Sequence, residues 1–255
     1  MNYDTIKVRV EGQVCYLQLY RPEAGNTIND RLVEECSHAL AQCEESASVI
    51  VLEGMDGIFC TGADFKGIHA KLTAGEPLDN RPEPLYALWQ KLATGPFITI
   101  AHVRGKANAG GVGFAAACDI VLADEKAEFS LSELLFGLFP ACVLPFLIRR
   151  TGFQKAHYMT LTTKPIPVQE AHAWGIVDGY GPDSEMLLRR HLLRLKKLPK
   201  PAIAHYKTYM NELRGILTTS KPLALAANEK IFADPRNLEK IYRYVEKGQF
   251  PWEDE

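Results

Sequence analysis

The sequence lacks several features that would assign it to a specialised class of protein. Its six cysteines include no Cys-x-x-Cys pair, and no cysteine and histidine cluster has zinc-ligand spacing. The longest apolar runs, such as GFAAACDIVLA, are shorter than a membrane span. The N-terminal MNYDTIKVRV has no charged segment followed by an apolar one, so it is not typical of a signal peptide. These absences predict a cytoplasmic protein with free thiols, no metal site and no membrane contact.

The sequence also has no large excess of positive or negative charge, because the formal net charge is only −2. This balance gives no indication of a nucleic-acid partner or a membrane surface. The 255 residues are 47% apolar and 24% charged, which is enough apolar material for a sizeable core. Length and composition therefore predict one large α/β domain, alone or with a helical appendage.

The first half of the chain alternates strand and helix patterns. TIKVRV and VCYLQLY predict a hairpin that turns at Glu11-Gly12, and Asn29 or Asp30 can cap a helix with apolar residues at helical spacing. VIVLEG, PFITIAHV and DIVLA predict short buried strands. Strands interleaved with helices indicate a parallel sheet with crossover connections.

From Val143 onward nearly every segment has a helical pattern, up to an aromatic-rich end, IYRYVEKGQFPW. The stretch 72–84, which includes TAGEPLDNRPEP, is rich in proline, glycine and polar residues and is predicted to be flexible. The sequence thus predicts an α/β core followed by a helical C-terminal part.

Two glycine-containing segments can each present a backbone amide. In IFCTGADF, residues 58–65, a buried strand is followed by a turn at Gly62-Ala63. In NAGGVGF, Gly110 and Gly111 stand between a strand and an apolar helix, whose start offers unpaired N–H groups. Two such donors from separate loops would form an oxyanion hole for a thioester oxygen.

A third segment, FSLSELLFG, carries Glu133 among apolar residues. Desolvation by Leu131, Leu134, Leu135 and Phe136 should raise the pKa of this carboxyl and suit it to proton transfer near neutral pH. A structural alternative is a capping box in which Ser130 and Glu133 begin a helix.

These segments, with RPEAGNTIND, PIPVQEAHAWGIVD and YVEKGQF, make the chain resemble the crotonase (enoyl-CoA hydratase/isomerase) superfamily over nearly its whole length. The order and spacing of the motifs carry this resemblance. It implies a β-β-α spiral core, residues 1–195, and a helical trimerisation region, residues 196–255. A homotrimer or a hexamer is therefore expected.

The resemblance also implies roles for individual residues. Ala63 and Gly110 match the two oxyanion-hole amides, and Glu133 matches the second catalytic glutamate. Gly113 falls where typical hydratases have their first glutamate. The predicted substrate contacts are Cys60, Asp64, Gly111, Gly113 and Leu138. Asp64 is expected mainly to support the turn that presents Ala63.

The motifs NAGGVGF, FSLSELLFGLFPACVLPFLIRR, KAHYMTLTTKPI and GQFPWEDE most resemble the dehydratases of polyketide-synthase β-branching cassettes. These act on 3-hydroxy-3-methylglutaryl groups on acyl carrier protein, and no cofactor is expected beyond the phosphopantetheine that carries the substrate. Two alternatives stay open: decarboxylation of a 3-methylglutaconyl thioester, and a silent scaffold that only binds carrier protein.

One carboxylate suffices for elimination, since Glu133 can remove the α-proton and then protonate the leaving β-hydroxyl on the same face. Alternatively, Gly113 makes room for a branched acyl chain. A distal substrate carboxylate needs a partner, for which the candidates are Lys66, His69, Lys106 and Asn108. Cys142, Val143 and Leu144 are expected to make the pocket wall bulkier and more apolar.

The type of acyl carrier can be argued from charge. Family members that take free coenzyme A often place a lysine where this chain has Glu23, and an acidic residue beside phosphates is unfavourable. Because acyl carrier proteins are acidic, a basic rim is expected. Two basic clusters are available, Arg149, Arg150 and Lys155, and Arg189, Arg190, Arg194, Lys196 and Lys197. The second also fits the solvated face of an amphipathic helix.

Overall fold

The computed structural model describes residues 3–75, 81–213 and 215–253, which form two β-sheets and a set of surrounding helices. The strands are β1 (Ile6–Glu11), β2 (Val14–Leu19), β3 (Val49–Glu53), β4 (Ile58–Cys60), β5 (Ile98–Val103), β6 (Lys106–Asn108), β7 (Ile120–Asp124), β8 (Glu128–Ser130), β9 (Ile166–Pro167) and β10 (Gly179–Gly181). The helices are α1 (Asp30–Cys43), α2 (Phe65–Thr73), α3 (Glu83–Thr94), α4 (Gly110–Ala117), α5 (Leu144–Thr151), α6 (Phe153–Thr162), α7 (Val168–Ala173), α8 (Ser184–Leu195), α9 (Lys200–Leu213), α10 (Ile216–Thr219), α11 (Lys221–Phe232) and α12 (Pro235–Lys247).

The larger sheet has the order β1-β2-β3-β5-β7-β10. The predicted hairpin of β1 and β2 is antiparallel, and each further pair is parallel. β3 is buried on both faces, as expected for a parallel strand covered by crossover helices. The expectation of a mainly parallel sheet is therefore confirmed.

The smaller sheet positions the loops of interest. Its order is β4-β6-β8-β9, with β4, β6 and β8 mutually parallel and β9 antiparallel to β8. Parallel neighbours end at the same edge of a sheet, so the segments that follow β4, β6 and β8 emerge side by side. These are the three segments that the sequence selected.

The core packs against both faces of the larger sheet. On one face, the helices α1, α3 and α4 bury aromatic and aliphatic side chains against the larger sheet and also against the smaller sheet. On the other face Leu188 and Leu192 of α8 cover Val49, Val51 and Ile100. The start of α1 is fixed because the Asn29 side chain accepts a hydrogen bond from the amide of Leu32, which confirms the predicted cap.

The C-terminal part is helical, as predicted, apart from the short β9 and β10. The aromatic-rich end forms α12, which packs on α2 and on the turn that begins at Glu133. α8 ends at Leu195, but the division into regions 1–195 and 196–255 stays a prediction, as does trimer formation. Within the described ranges no helix is long and apolar enough to cross a bilayer.

The stretch predicted to be flexible is partly helical. Its first residues belong to the end of α2 and its last to the beginning of α3. Residues 76–80 lie outside the described residues.

Candidate active site

The loops that follow β4 and β6 come into direct contact. A Cβ atom placed on Gly62 would lie 2.8 Å from the Ala109 Cβ and 3.6 Å from the Gly110 amide nitrogen. Gly62 has a φ of +94°, a conformation that residues with a side chain rarely adopt. Glycine at this position therefore lets the two loops meet and brings Ala63 close to Gly110.

The amide of Ala63 is directed away from its neighbouring segment. Ile28 and Ala63 form a parallel bridge, in which the Ile28 amide donates to the Gly62 carbonyl (2.7 Å) and the Asp64 amide donates to the Ile28 carbonyl (3.0 Å). Groups of a strand alternate in direction, so the N–H of Ala63 points to the opposite side. Ala63 lines a cavity there.

Gly110 is the first residue of α4, where a helix leaves its amides without intrahelical partners. The preceding Ala109 has φ 50° and ψ −116°, a strained conformation for a residue with a side chain. It is held by the Ala109 amide, which donates to the Ser130 carbonyl at 2.9 Å. The second amide that the sequence selected is thus fixed beside the first.

The inner cavity, as we call it, has a volume of about 290 Å³. Its wall includes Ala63, Trp89, Gly110, Glu133, Leu138 and Val143. An adjacent outer cavity of about 1280 Å³ shares Ala63 and Glu133 and is lined further by Glu23, Lys66, Lys106, Tyr244 and Phe250. The three sequence-predicted groups therefore meet at one place, with Glu133 between the two cavities.

Glu133 begins a single 3₁₀ turn, Glu133–Phe136. Its Oε2 is buried and has no hydrogen-bond partner among the described residues. Burial raises the pKa of Glu133 to about 7, with its own backbone amide opposing the shift. A carboxyl group with this pKa can accept and return a proton near neutral pH.

The apolar surroundings of Glu133 differ in part from those expected. Leu131 and Phe136 are buried, but Leu134 is 38% exposed. The inner cavity contributes Trp89 and Leu138 instead. Desolvation is thus confirmed as the cause of the raised pKa, while Leu134 was wrongly included.

The capping-box alternative is wrong, because the turn has no side-chain cap. The Ser130 hydroxyl donates to Asn108 Oδ1 at 2.8 Å, and Asn108 Nδ2 donates to Ser132 Oγ at 3.0 Å. Asn108 therefore ties the loop after β6 to the segment that carries Glu133. No sequence pattern indicates this positioning role, and Asn108 was predicted only as a candidate partner for a distal carboxylate.

Of the predicted substrate contacts, Leu138 lines the inner cavity and Asp64 lines the outer one. Asp64 forms an ion pair with Arg21 (2.8 Å) and caps α2 through the amide of Gly67, so its expected supporting role is confirmed. The remaining contacts are not among the described wall residues of either cavity: Cys60, Gly111 and Gly113.

These residues lie in the packed core behind the wall. A Cβ atom on Gly111 would lie 2.2 Å from the carbonyl oxygen of Cys60, so only glycine permits this approach of the two loops. Cys60 is fully buried, and burial raises its pKa to about 12. Their contribution is therefore to packing, which local sequence could not distinguish from substrate contact.

The hypothesis that Gly113 makes room for a branched acyl chain is wrong. A Cβ atom at this position would lie 2.6 Å from Cη2 and Cζ2 of Trp89. The indole ring thus fills the space beside Gly113. Sequence reasoning missed Trp89, because it lies on α3, outside every motif, and reaches the cavity only through the fold.

The candidates for a distal carboxylate are dispersed. Lys66 and Lys106 line the outer cavity. His69 contacts Glu246 of α12 at 3.1 Å and packs against Tyr242. The described residues of the inner cavity also include Arg81, Asn228 and the exposed Asp30 and Glu34, which sequence reasoning did not select.

The pocket-wall expectation holds for Cys142 and Val143, which line the inner cavity, but not for Leu144, which is absent from its described wall. Burial raises the pKa of Cys142 to about 12, which disfavours a nucleophilic role.

The two arginines of the first basic cluster have structural partners. Arg149 donates to the carbonyls of Ala116 and Ala117 at the end of α4, and Arg150 donates to the carbonyl of Ile176 and pairs with Asp178. The second cluster lies on the exposed face of α8 and the residues after it, as an amphipathic helix requires. The basic rim expected from Arg149 and Arg150 is therefore not present as free surface charge.

The family model described as enoyl-CoA hydratase/isomerase matches residues 9–255. The bacillaene synthase dehydratase PksH of Bacillus subtilis is 59% identical over 256 residues, which cover 100% of this chain and 99% of that protein. The 2,3-dehydroadipyl-CoA hydratase of Escherichia coli is 32% identical over 218 residues, covering 84% of this chain and 82% of that protein.

A solved structure agrees with these sequence comparisons. The crystal structure of a polyketide biosynthesis enoyl-CoA hydratase, PksH from B. subtilis, superimposes with a TM-score of 0.96 at 58% identity, covering 98% of this chain and 100% of that one. The expected crotonase-like α/β fold is confirmed.

Proposed function

The chain belongs to the enoyl-CoA hydratase/isomerase family, and from that premise we propose that it dehydrates 3-hydroxy-3-methylglutaryl-acyl carrier protein to 3-methylglutaconyl-acyl carrier protein. Membership makes the protein a lyase of the hydratase and dehydratase type. The identity of the acyl group and of its carrier is what we propose beyond this enzyme class. A relative that is named a dehydratase of bacillaene synthesis and matches the whole chain supports the direction of the reaction.

One observation carries the proposal: a buried carboxyl with a pKa of about 7, that of Glu133, lies in the same cavity as the backbone of Ala63 and Gly110. No second buried carboxylate can stand at position 113, because Trp89 occupies the space there. Hydration of an ordinary enoyl thioester needs groups to hold and activate water. A single acid–base group suits elimination, in which the leaving hydroxyl is already part of the substrate.

The residues can perform the reaction as follows. The amides of Ala63 and Gly110 bind the thioester oxygen and stabilise the negative charge that develops on it; each such donor lowers the barrier by about 3–4 kcal/mol. Glu133, as a carboxylate, removes the α-proton. The same group, now protonated, donates that proton to the β-hydroxyl as the C–O bond breaks. Water and the α,β-double bond are formed, and Glu133 returns to its carboxylate form.

A carrier protein as the acyl donor is supported by charge. Glu23 lines the outer cavity with a side chain that is 69% exposed and lies 3.6 Å from the Arg21 guanidinium. A carboxylate at this position disfavours a phosphate of free coenzyme A beside it, whereas a carrier protein presents only phosphopantetheine. We also propose a cytoplasmic homotrimer or hexamer that needs no bound cofactor, as family resemblance implies.

The test is mass spectrometry of 3-hydroxy-3-methylglutaryl-carrier protein after incubation with the enzyme. Loss of one water supports dehydration, and the Glu133→Gln variant should then release water about 10²–10⁴-fold more slowly. Loss of carbon dioxide from 3-methylglutaconyl-carrier protein, unaffected by Glu133→Gln, would instead identify a decarboxylase. Carrier binding without any turnover would identify a silent scaffold.

A further inference from the structure

Three buried side-chain atoms of the described residues have no hydrogen-bond partner: Trp89 Nε1, Arg104 Nε and Glu133 Oε2. Two of them, on Trp89 and Glu133, belong to residues that line the inner cavity. A buried polar atom without a partner destabilises a fold by about 1–3 kcal/mol, so such atoms at a cavity indicate that a ligand completes their bonding.

The Trp89 ring is held in one place. It is 1% exposed and makes edge-on contacts with Phe114 and Phe146, each at 5.7 Å between ring centroids. Its outer edge abuts Gly113, where a Cβ atom would lie 2.6 Å away. The indole therefore cannot turn its N–H toward another partner without repacking the core.

The ring also lies next to an oxyanion-hole residue. Cζ2 of Trp89 is 3.8 Å from a Cβ position on Gly110, and Nε1 is separated from Cζ2 by one ring atom. With the thioester oxygen at the Gly110 amide, the β-carbon of the acyl chain is two bonds from the carbonyl carbon. The distal carboxylate is further along the chain, so the β-substituent is closer to this part of the ring than the carboxylate is.

The two unpartnered atoms call for one kind of group. An indole N–H only donates a hydrogen bond, and the carboxylate form of Glu133 only accepts one. A carbonyl or carboxylate oxygen could accept from Trp89 but has no proton to give to Glu133. A hydroxyl can do both, because it carries one donor and two acceptor positions.

We propose that the Nε1–H of Trp89 donates a hydrogen bond to the β-hydroxyl oxygen of the substrate, while that hydroxyl donates to Glu133. Trp89 is thus a substrate-binding residue that selects 3-hydroxyacyl groups and holds the leaving oxygen near the acid that protonates it. The bond strengthens as the C–O bond breaks and negative charge develops on this oxygen. The inference rests on the proposed dehydratase function.

The test is a cycle of two ligands and two proteins, measured by calorimetry in a Glu133→Gln background that prevents turnover. The ligands are the pantetheine thioesters of 3-hydroxy-3-methylglutarate and of 3-methylglutarate, which lacks the hydroxyl. We expect Trp89→Phe to weaken binding of the hydroxylated ligand about 3–10-fold and to change binding of the other less than about twofold. The matched control is Trp174→Phe, which should not change the affinity for either ligand. Trp174 is half-buried and directly follows the last residue of α7.

Phenylalanine is smaller than tryptophan, so a second replacement separates the N–H from ring volume. Benzothienylalanine at position 89 retains the bicyclic shape and has sulfur in place of N–H. It should reproduce the loss for the hydroxylated ligand alone.

An equal loss for both ligands, or no loss, would overturn the role of Trp89 and leave the proposed function standing if the unaltered enzyme still releases water from the carrier-bound substrate. Absence of that release would overturn the proposed function and this inference together.

Discussion

Two glutamates of this protein, Glu35 and Glu133, have opposite environments. Glu35 on α1 accepts hydrogen bonds from the amides of Asp4 and Thr5, the hydroxyl of Thr5 and the guanidinium of Arg31. Burial alone would raise its pKa, but these donors outweigh burial and lower the pKa of Glu35 to about 2. Glu133 Oε2 has no hydrogen-bond partner in the part of the chain that the structure describes, and burial raises the pKa of Glu133 to about 7. The pKa of the same side chain is thus lowered where donors surround it and raised where they are missing.

His102 is a second residue whose role is set by its hydrogen-bond partners and not by its residue type. His102 Nδ1 lies 3.0 Å from Glu53 Oε1, and its Nε2 lies 2.9 Å from Ser184 Oγ, the order of groups found in many hydrolases. His102 is fully buried, and both of its nitrogens have partners within the fold. Glu185 adds a third ligand-type group within 4.8 Å, but a histidine with both nitrogens engaged offers no free ligand. His102 is therefore a core residue of β5 whose hydrogen bonds are satisfied within the fold.

The largest expected effect comes from removing the reactive carboxylate. Glu133→Gln should lower the rate of water release about 10²–10⁴-fold, because glutamine cannot take up the α-proton. The rate is measured by mass spectrometry at saturating acyl-carrier substrate. Glu35→Gln is the control and should retain activity when it is assayed under conditions in which this variant is folded. Equal losses in the two variants would remove the distinction between the glutamates.

Removing the charge of Glu35 should instead affect the stability of the fold. Glu35→Gln should reduce the free energy of unfolding by about 2–3 kcal/mol at neutral pH, because charged hydrogen bonds to buried donors are lost. Urea denaturation followed by circular dichroism measures this. A matching loss of stability in Glu133→Gln would show that hydrogen-bond saturation does not separate the two sites.

Filling the space beside Gly113 tests the packing of Trp89. Gly113→Ala places a methyl group 2.6 Å from a ring that cannot move freely, and we expect a loss of about 1–3 kcal/mol in unfolding free energy. Gly181→Ala is the matched control, since a Cβ atom there meets nothing within 4 Å. If both variants unfold at the same denaturant concentration, the indole does not occupy the place assigned to it.

The contributions of Glu133 and Glu35 to stability should change with pH in opposite directions. With Glu133 as the proposed base, kcat/KM for water release should fall about tenfold per unit as the pH drops below about 7. Its raised pKa favours the folded state below the ordinary value of 4.5, a contribution that is lost as pH rises through about 7. For Glu35 the contribution is present above 4.5 and is lost as pH falls toward about 2.

These pH effects are separable by measurement. A pH–rate profile reports Glu133, and denaturation of the Glu35→Gln variant should show a weaker decline of stability in acid than the unaltered protein. A rate that stays level from pH 8 to pH 6 would argue against Glu133 as the base.

The sequence predicted the parts of the site that depend on local backbone chemistry. The strand ends, the glycine turn before Ala63 and the helix start at Gly110 follow from residue type and spacing, and the structure brings them together. It could not separate Cys60 and Gly111, which pack behind the wall, from Leu138, which lines it. Motif position alone does not state which side of a loop faces the cavity.

Sequence by itself determined the strand and helix order, the family and the presence of a carboxylate in an apolar segment, because these depend on periodicity, turn chemistry and motif order. Tertiary structure alone decided that Glu35 is saturated and Glu133 is not, and that Trp89 from α3 fills the space beside Gly113. Hydrogen-bond partners and contacts between distant segments are properties of the folded chain, and they set whether a buried polar group stabilises the fold or remains available to a substrate.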